Sequence, residues 1–181
     1  GPIRMEAYVT FKPEATELEL SELDVRTFGF LWDLQNGTNR VMPHLRYLNA
    51  LDGERVSRWQ FKKEREPVAE IGESGKTISH FHLAATGWED IPAEPQLMCY
   101  NEIATKQNWH YMCVDFDLDT MAFTGFQFND RVYDVSQIAP MTMPAMANLW
   151  CMLNMVFFVE TDCDKRASLS VDSVMISGEW D

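Results

Sequence analysis

Met5-Glu6-Ala7-Tyr8-Val9-Thr10-Phe11 decides the fold class. Met5, Ala7, Val9 and Phe11 alternate with Glu6, Tyr8 and Thr10. A period of two places the apolar set on one face of a pleated strand, whereas a helix would scatter it around the axis. Lys12-Pro13-Glu14 ends the run, because proline has no N–H to continue a ladder.

The same period recurs down the chain. Phe28, Phe30, Trp32 and Leu34 share a face, and Asn36-Gly37 then supplies a turn. In residues 40–49, Val41, Leu45 and Tyr47 oppose Arg40, Met42, His44 and Arg46, and Pro43 predicts an edge or bulged strand. Asp52-Gly53 is a second hairpin signal, after which Ser57, Trp59 and Phe61 oppose Val56, Arg58, Gln60 and Lys62. Residues 78–83 alternate again, 107–118 form a long strand with 121–128 as its hairpin partner, and Asn129-Asp130 turns the chain. Residues 149–160 are the most apolar stretch, which predicts a strand central in a sheet. Residues 167–177 close the domain with Leu169, Val171, Ser173 and Met175 on one face. The irregular pieces are the acidic residues 15–24, read as a loop with a helical turn, the charged residues 63–67, residues 86–95 led by Trp88, and the proline-rich crossover 139–147. About nine or ten strands and no long helix make an all-β domain, a sandwich or a barrel.

The 181 residues suit one domain spanning 1–181. At 46% hydrophobic and 24% charged, the composition excludes disorder, collagen and a coiled coil. No run reaches the ~18 apolar residues of a membrane helix, so no membrane partner is expected. With 15 Lys+Arg against 28 Asp+Glu the net charge is −13, which repels phosphate backbones and excludes nucleic acid as a partner. Gly1-Pro2-Ile3-Arg4 enters a strand at once without an initiator Met, which points to a missing N-terminal segment. Cys99, Cys113, Cys151 and Cys163 contain no CxxC pair, so a four-cysteine zinc site is not expected. Free thiols and a reducing, cytoplasmic compartment are the reading, with three disulfide pairings open if all four were oxidised.

Two stretches carry a family resemblance. Asn108-Trp109-His110-Tyr111-Met112-Cys113-Val114-Asp115-Phe116-Asp117-Leu118, followed by a hairpin through Gly125-Phe126-Gln127-Phe128-Asn129-Asp130, resembles a strand pair of laminin-G-type domains. Ala167-Ser168-Leu169-Ser170-Val171-Asp172-Ser173-Val174-Met175-Ile176-Ser177 is similar to their closing strand. Both belong to the concanavalin A-like lectin/glucanase superfamily. The resemblance covers the C-terminal portion and implies a bacterial family with a two-sheet antiparallel β-sandwich jelly roll, often glycan-binding or glycan-processing. Its retaining glucanases resemble one another in a Glu-x-Asp-x-x-Glu strand, which sets nucleophile and acid/base on one face. This chain has no such strand, so glucanase activity is not carried over.

Four groups of residues offer chemistry. His80 and His82 lie two apart on a strand and, with His44, could form a three-histidine zinc set. A metal-binding cupin would then place a glutamate where Thr86 or Gly87 stands, and a solvated polar strand face is the plainer reading. Arg40, His44 and Arg46 share a face, with Arg58 or Lys62 beside them, and could hold the carboxylate or sulfate of an acidic sugar. The competing reading is an edge strand made non-adhesive by charge. Of six tryptophans, Trp88 is the foremost exposed candidate for stacking on a sugar and Trp59 the second. Trp150 shares a face with Asn154 and Glu160, whereas Trp32 and Trp109 read as core. Asp172 is the candidate ligand of a structural Ca2+, as the superfamily implies, and Asp115, Asp117 and Asp119 could be oxygen ligands or a solvated acidic face. P-loop, GxGxxG, GxSxG and HExxH motifs are absent.

These readings combine into a carbohydrate-recognition domain, free-standing or attached to glycan-degradation machinery, whose partner is a glycan or small sugar. Trp59, Trp88 and Trp150 would stack, while Arg40, His44, Arg46, His80, His82 and Asn154 bond hydroxyls or a carboxylate. A glycoside hydrolase or polysaccharide lyase using the His/Arg face is the first alternative. A structural or assembly domain is the second, and a homo-oligomer stays open.

Overall fold

The computed structural model describes residues 1–13, 21–63, 69–71, 77–79, 86–99, 101, 105–140, 142–149, 152–161 and 166–179. Its strands are β1 (Pro2–Pro13), β2 (Val25–Gln35), β3 (Asn39–Val41), β4 (His44–Leu51), β5 (Glu54–Lys62), β6 (Ala69–Ile71), β7 (Thr77–Ser79), β8 (Trp88–Asp90), β9 (His110–Asp117), β10 (Ala122–Phe128), β11 (Arg131–Tyr133), β12 (Thr142–Pro144), β13 (Met152–Thr161) and β14 (Ala167–Gly178). A short 3-10 turn, Glu22–Asp24, precedes β2.

Two antiparallel sheets face each other as a β-sandwich. The smaller has the order β11-β10-β9-β1-β14. The larger runs β12-β3-β2-β4-β5-β8, and β13 lies along the free edge of β2. A separate β6-β7 pair completes the described strands. The alternation in β1 is realised as expected, with Met5, Ala7, Val9 and Phe11 all buried between the sheets. Asp52 (φ 52°) and Gly53 (φ 79°) make the tight β4–β5 turn, the left-handed pair that matches the twist of flanking strands.

Several placements differ from the sequence reading. Residues 40–49 break at Met42-Pro43 into β3 and β4, so Pro43 sits between strands and β4 is an inner strand paired with β2 and β5. The apolar β13 is an edge strand bonded to β2, because a strand can be apolar on both faces and still have one neighbour. A bulge resets β14: Glu6 pairs with Met175 and Tyr8 with Asp172, so one β1 residue opposes Ser173 and Val174. Ser173 takes φ 53° there, and Ile176 beside Met5 replaces Met175 on the inward face. Trp109, read as core, is 42% exposed just ahead of β9.

Aromatic rings fill the space between the sheets. Trp59 on β5 meets Phe126 at 4.8 Å and Phe128 at 4.7 Å from β10, and Phe28 of β2 lies 5.9 Å from Phe128. Burying these large side chains supplies most of the drive to close the sandwich.

Gln96, in the loop after β8, is 6% exposed and ties the two layers together. Its Oε1 accepts from Trp59 Nε1 (3.0 Å) and Tyr133 Oη (2.6 Å), and its Nε2 donates to Phe128 O (3.0 Å). Its backbone N–H donates to Ser57 O (3.0 Å), and its carbonyl accepts from Tyr47 Oη (2.6 Å). One carboxamide thereby satisfies polar tips on β5, β10 and β11 that the aromatic core would otherwise orphan.

Cys99 and Cys113 are free thiols. Among the described residues no helix is long and apolar enough to cross a membrane.

Two predictions follow from the core. Gln96→Leu strands the Trp59 and Tyr133 donors and the Phe128 carbonyl, and should cost about 3 kcal/mol in urea unfolding. A loss below about 1 kcal/mol would show that the hub is dispensable. His110 is 3% exposed, and burial lowers its pKa against the bonds from Cys99 and Asn129 that raise it. The unfolded chain therefore takes up a proton near pH 6.5 that the fold resists, so stability is full above that pH and falls as the pH drops below it. His110→Gln should flatten the stability profile between pH 7 and 5; an unchanged slope assigns the loss to other groups.

Candidate functional site

The outward face of the larger sheet carries an unusual load of buried polar side chains. Along β4, Leu45 and Tyr47 point inward, which turns His44 and Arg46 outward. His44 is nevertheless only 2% exposed and Arg46 7%. On β5, Gln60 and Lys62 face the same way and are equally buried. A solvated back face would leave them open to water, so this one is covered.

Cross-strand registers line these residues up. Phe158, Gly29, Arg46, Gln60 and Asp90 form one rung across β13, β2, β4, β5 and β8. Glu160, Thr27, Leu48 and Arg58 form the next. Gly29 makes the first rung fit: a Cβ there would meet Leu45 O and Phe158 Cζ at 2.5 Å and Arg46 Cβ at 2.9 Å. The missing side chain lets the Phe158 ring and the Arg46 stem lie flat on the sheet.

Trp88 on β8 pairs with Lys62 and reaches over the group. Arg46 Cζ lies 4.1 Å from the indole centroid, Lys62 Nζ lies 5.1 Å away, and the His44 ring meets it edge-on at 6.3 Å. Cations over an indole face are attracted by the ring's electron density. Lys62 Nζ also donates to Thr86 O. His44 Nδ1 lies 2.6 Å from Met42 O, a carbonyl that can only accept, so Nδ1 carries the proton and the ring's orientation is fixed.

Four carboxamide and carboxylate contacts complete the network. Arg46 Nε donates to Gln60 Oε1 (2.8 Å), and Gln60 Nε2 donates to Asp90 Oδ1 (2.8 Å). Arg58 donates to Asp90 Oδ2 (2.8 Å). Thr27 Oγ1 donates to Glu160 Oε2 (2.9 Å). Burial brings the Arg46 pKa down to about 10, opposed by Glu160 and Asp90 and reinforced by Arg26. Burial pushes the Asp90 carboxyl up, but the bonds from Gln60 and Arg58 outweigh it and hold the pKa below the usual range. At neutral pH the face thus carries charged Arg46 and Asp90.

Of the residues singled out in the sequence, His44, Arg46 and Trp88 come together here. Arg40 shares the outward face but is closed on Asp33 through two bonds, Nε–Oδ1 at 2.7 Å and Nη2–Oδ2 at 2.5 Å. Asn154 is exposed on β13 and sits beside Asp33, at the Arg40 end of the sheet. Trp59 is 2% exposed in the inter-sheet core with its Nε1 bound to Gln96, so it offers no stacking surface. His80, His82 and Trp150 lie outside the described residues. Asp172 is on β14 in the other sheet, where Oδ1 accepts from Ser173 N (2.8 Å). Among the described residues no three His, Cys, Asp or Glu side chains gather into a metal-binding group, around Asp172 or elsewhere.

Sequence reasoning missed Gly29, Thr27 and Asp90. Trp88-Glu89-Asp90 carries the alternation of a three-residue strand, which was readable but too short to stand out. Beside the face, a cavity of about 280 Å³ is lined by Phe61, Glu89, Asp90, Pro92 and Asp134 with Ile138. Its carboxylates give it the opposite sign from the Arg46 surface.

A buried guanidinium costs stability wherever hydrophobic packing could replace it. Arg46→Met should leave the unfolding free energy unchanged or raise it by about 1 kcal/mol in chemical denaturation. A loss of more than about 2 kcal/mol would make Arg46 a structural residue.

No curated protein matches the chain, and no solved structure does. The model of one family, the domain of unknown function DUF6772, matches residues 1–180, and the chain belongs to that family.

Proposed function

We propose that the domain recognises carbohydrate on the outward face of the larger sheet, where β4, β5 and β8 meet. The observation that carries this reading is the grouping of Arg46, Gln60, Lys62 and His44 under a half-buried indole. Sugars need hydroxyl-binding groups held in fixed positions next to an apolar wall, and this face supplies both. The resemblance of residues 108–118 and 167–177 to concanavalin A-like domains supports the same reading, since sheet faces of such sandwiches often hold glycans.

Roles differ among the residues. Arg46 and Lys62 are the donors beside the indole, Gln60 holds Arg46 in position, and Trp88 offers CH-packing surface on the part not covered by the cations. His44 is buried beneath Trp88 and holds the ring in place. Asp172, the candidate Ca2+ ligand, takes no part in this reading, because it lies on the other sheet.

A glycan-array screen on the purified domain, with and without EDTA, tests it. The expected result is a saturable hit that EDTA leaves unchanged and that Trp88→Ala weakens at least tenfold, about 1.4 kcal/mol. Trp109→Ala, an exposed indole on the other sheet, should leave the hit intact. No saturable binding to any glycan would sink the reading.

A further inference from the structure

We propose that the sugar recognised on this face is acidic, and that Arg46 takes its carboxylate. The inference rests on the carbohydrate reading above and deepens it. Four other arginines supply the contrast. Arg4 holds Asp115, Arg40 holds Asp33, Arg55 holds Glu22 and Arg58 holds Asp90, with their side chains 53%, 22%, 40% and 52% exposed. Arg46 is more buried than any of these and has the greatest need of a counter-charge. Among the described residues it has no ion-pair partner, and its one hydrogen bond goes from Nε to a neutral amide, Gln60.

The carboxylates nearby are turned elsewhere. Asp90 presents one oxygen to Gln60 and the other to Arg58, and Glu160 accepts from Thr27. They soften the cost of the buried charge without neutralising it. Arg46 is moreover held in place, by Gln60 at Nε, by Trp88 above its plane and by the flat bed at Gly29. With Nε engaged, the donors left are the terminal Nη groups, two roughly parallel N–H bonds at one end of a rigid plane. That geometry matches the two oxygens of a carboxylate. Lys62 Nζ, on the same indole, adds a second positive charge at the site. In a chain of net charge −13, a site for an anion must be local and shielded, and this one is both.

The ligand class is therefore a uronic-acid saccharide. The test is calorimetric titration of the domain with uronate oligosaccharides, the same oligosaccharides after reduction of the carboxyl group to an alcohol, and sulfated neutral oligosaccharides. The uronate form should bind at least tenfold more tightly than the reduced and the sulfated forms. Arg46→Gln should erase that preference to within about twofold, weakening the uronate form far more than the reduced form, with Arg46→Lys in between. A wild-type measurement stands apart from any folding defect: uronate affinity should fall as salt rises from 50 to about 500 mM, and affinity for the reduced form should not. Equal binding of uronate and reduced forms overturns this inference and leaves the carbohydrate reading standing. Preference for the sulfated form overturns the carboxylate assignment. Binding of none of the three overturns both.

Discussion

The two sheets are held in register by one side chain in the loop that follows β8. Gln96 is the sole amide placed where an indole N–H, a phenol and a strand-end carbonyl converge among the rings described above. Aromatic side chains give a core its bulk, but tyrosine and tryptophan bring polar tips that must be satisfied once water has left. Placing donor and acceptor on one flat group answers those tips together. It also dictates which way the amide points, since Oε1 faces two donors and Nε2 faces an acceptor. The aromatic packing between β5, β10 and β11 is specific because this amide selects one arrangement of it.

The outward face of the larger sheet depends on a different economy, that of space. β2 is the strand with the most neighbours, bonded to β13 on one side and to β4 and β3 on the other. A side chain at Gly29, in the middle of it, would lift Phe158 and Arg46 off the sheet. Without one, an aromatic ring from the edge strand and an arginine stem from the inner strand lie side by side, and Trp88 closes over the guanidinium from the far edge. A charge is thus sequestered on a surface where charge is ordinarily hydrated. Hydrophobic replacement of a buried charge is often neutral or stabilising, and the proposed ligand binding gives this charge a role that stability does not.

Much of the fold was legible because its information is local. The alternation in β1, β2 and β5, and the turns at Asn36-Gly37, Asp52-Gly53 and Asn129-Asp130, each depend on neighbours one or two residues apart. Strand order is not local. Pro43 predicts an edge or bulged strand, and it marks a break between β3 and β4, so the cations after it lie on an inner strand. The apolarity of residues 149–160 predicts a central strand, yet β13 forms an edge. The bulge at Ser173 changed which residues of β14 face inward, because one extra residue inverts a period-two pattern. The same logic governs the site. His44 and Arg46 share a face by alternation and Trp88 stands out by chemical type, while Gly29 and Asp90 acquire meaning only through pairing across strands. Trp59 was misplaced because its polar neighbours on β5 belong to the opposite face.

The stretch that carries Trp88 runs straight on to Gln96, and it is fastened at several points. Lys63 N–H donates to Gly87 O at 2.9 Å, Ile91 N–H to Trp59 O at 2.9 Å, and Gln96 N–H to Ser57 O at 3.0 Å. Peeling β8 away would therefore pull on a residue buried between the sheets, so the indole is anchored to the core by its own chain. A wall fixed in this way cannot serve as a lid. A ligand of the proposed kind would meet a surface already in its final shape, would lose little loop entropy on docking, and would be held with a strength set by fit and charge rather than by closure.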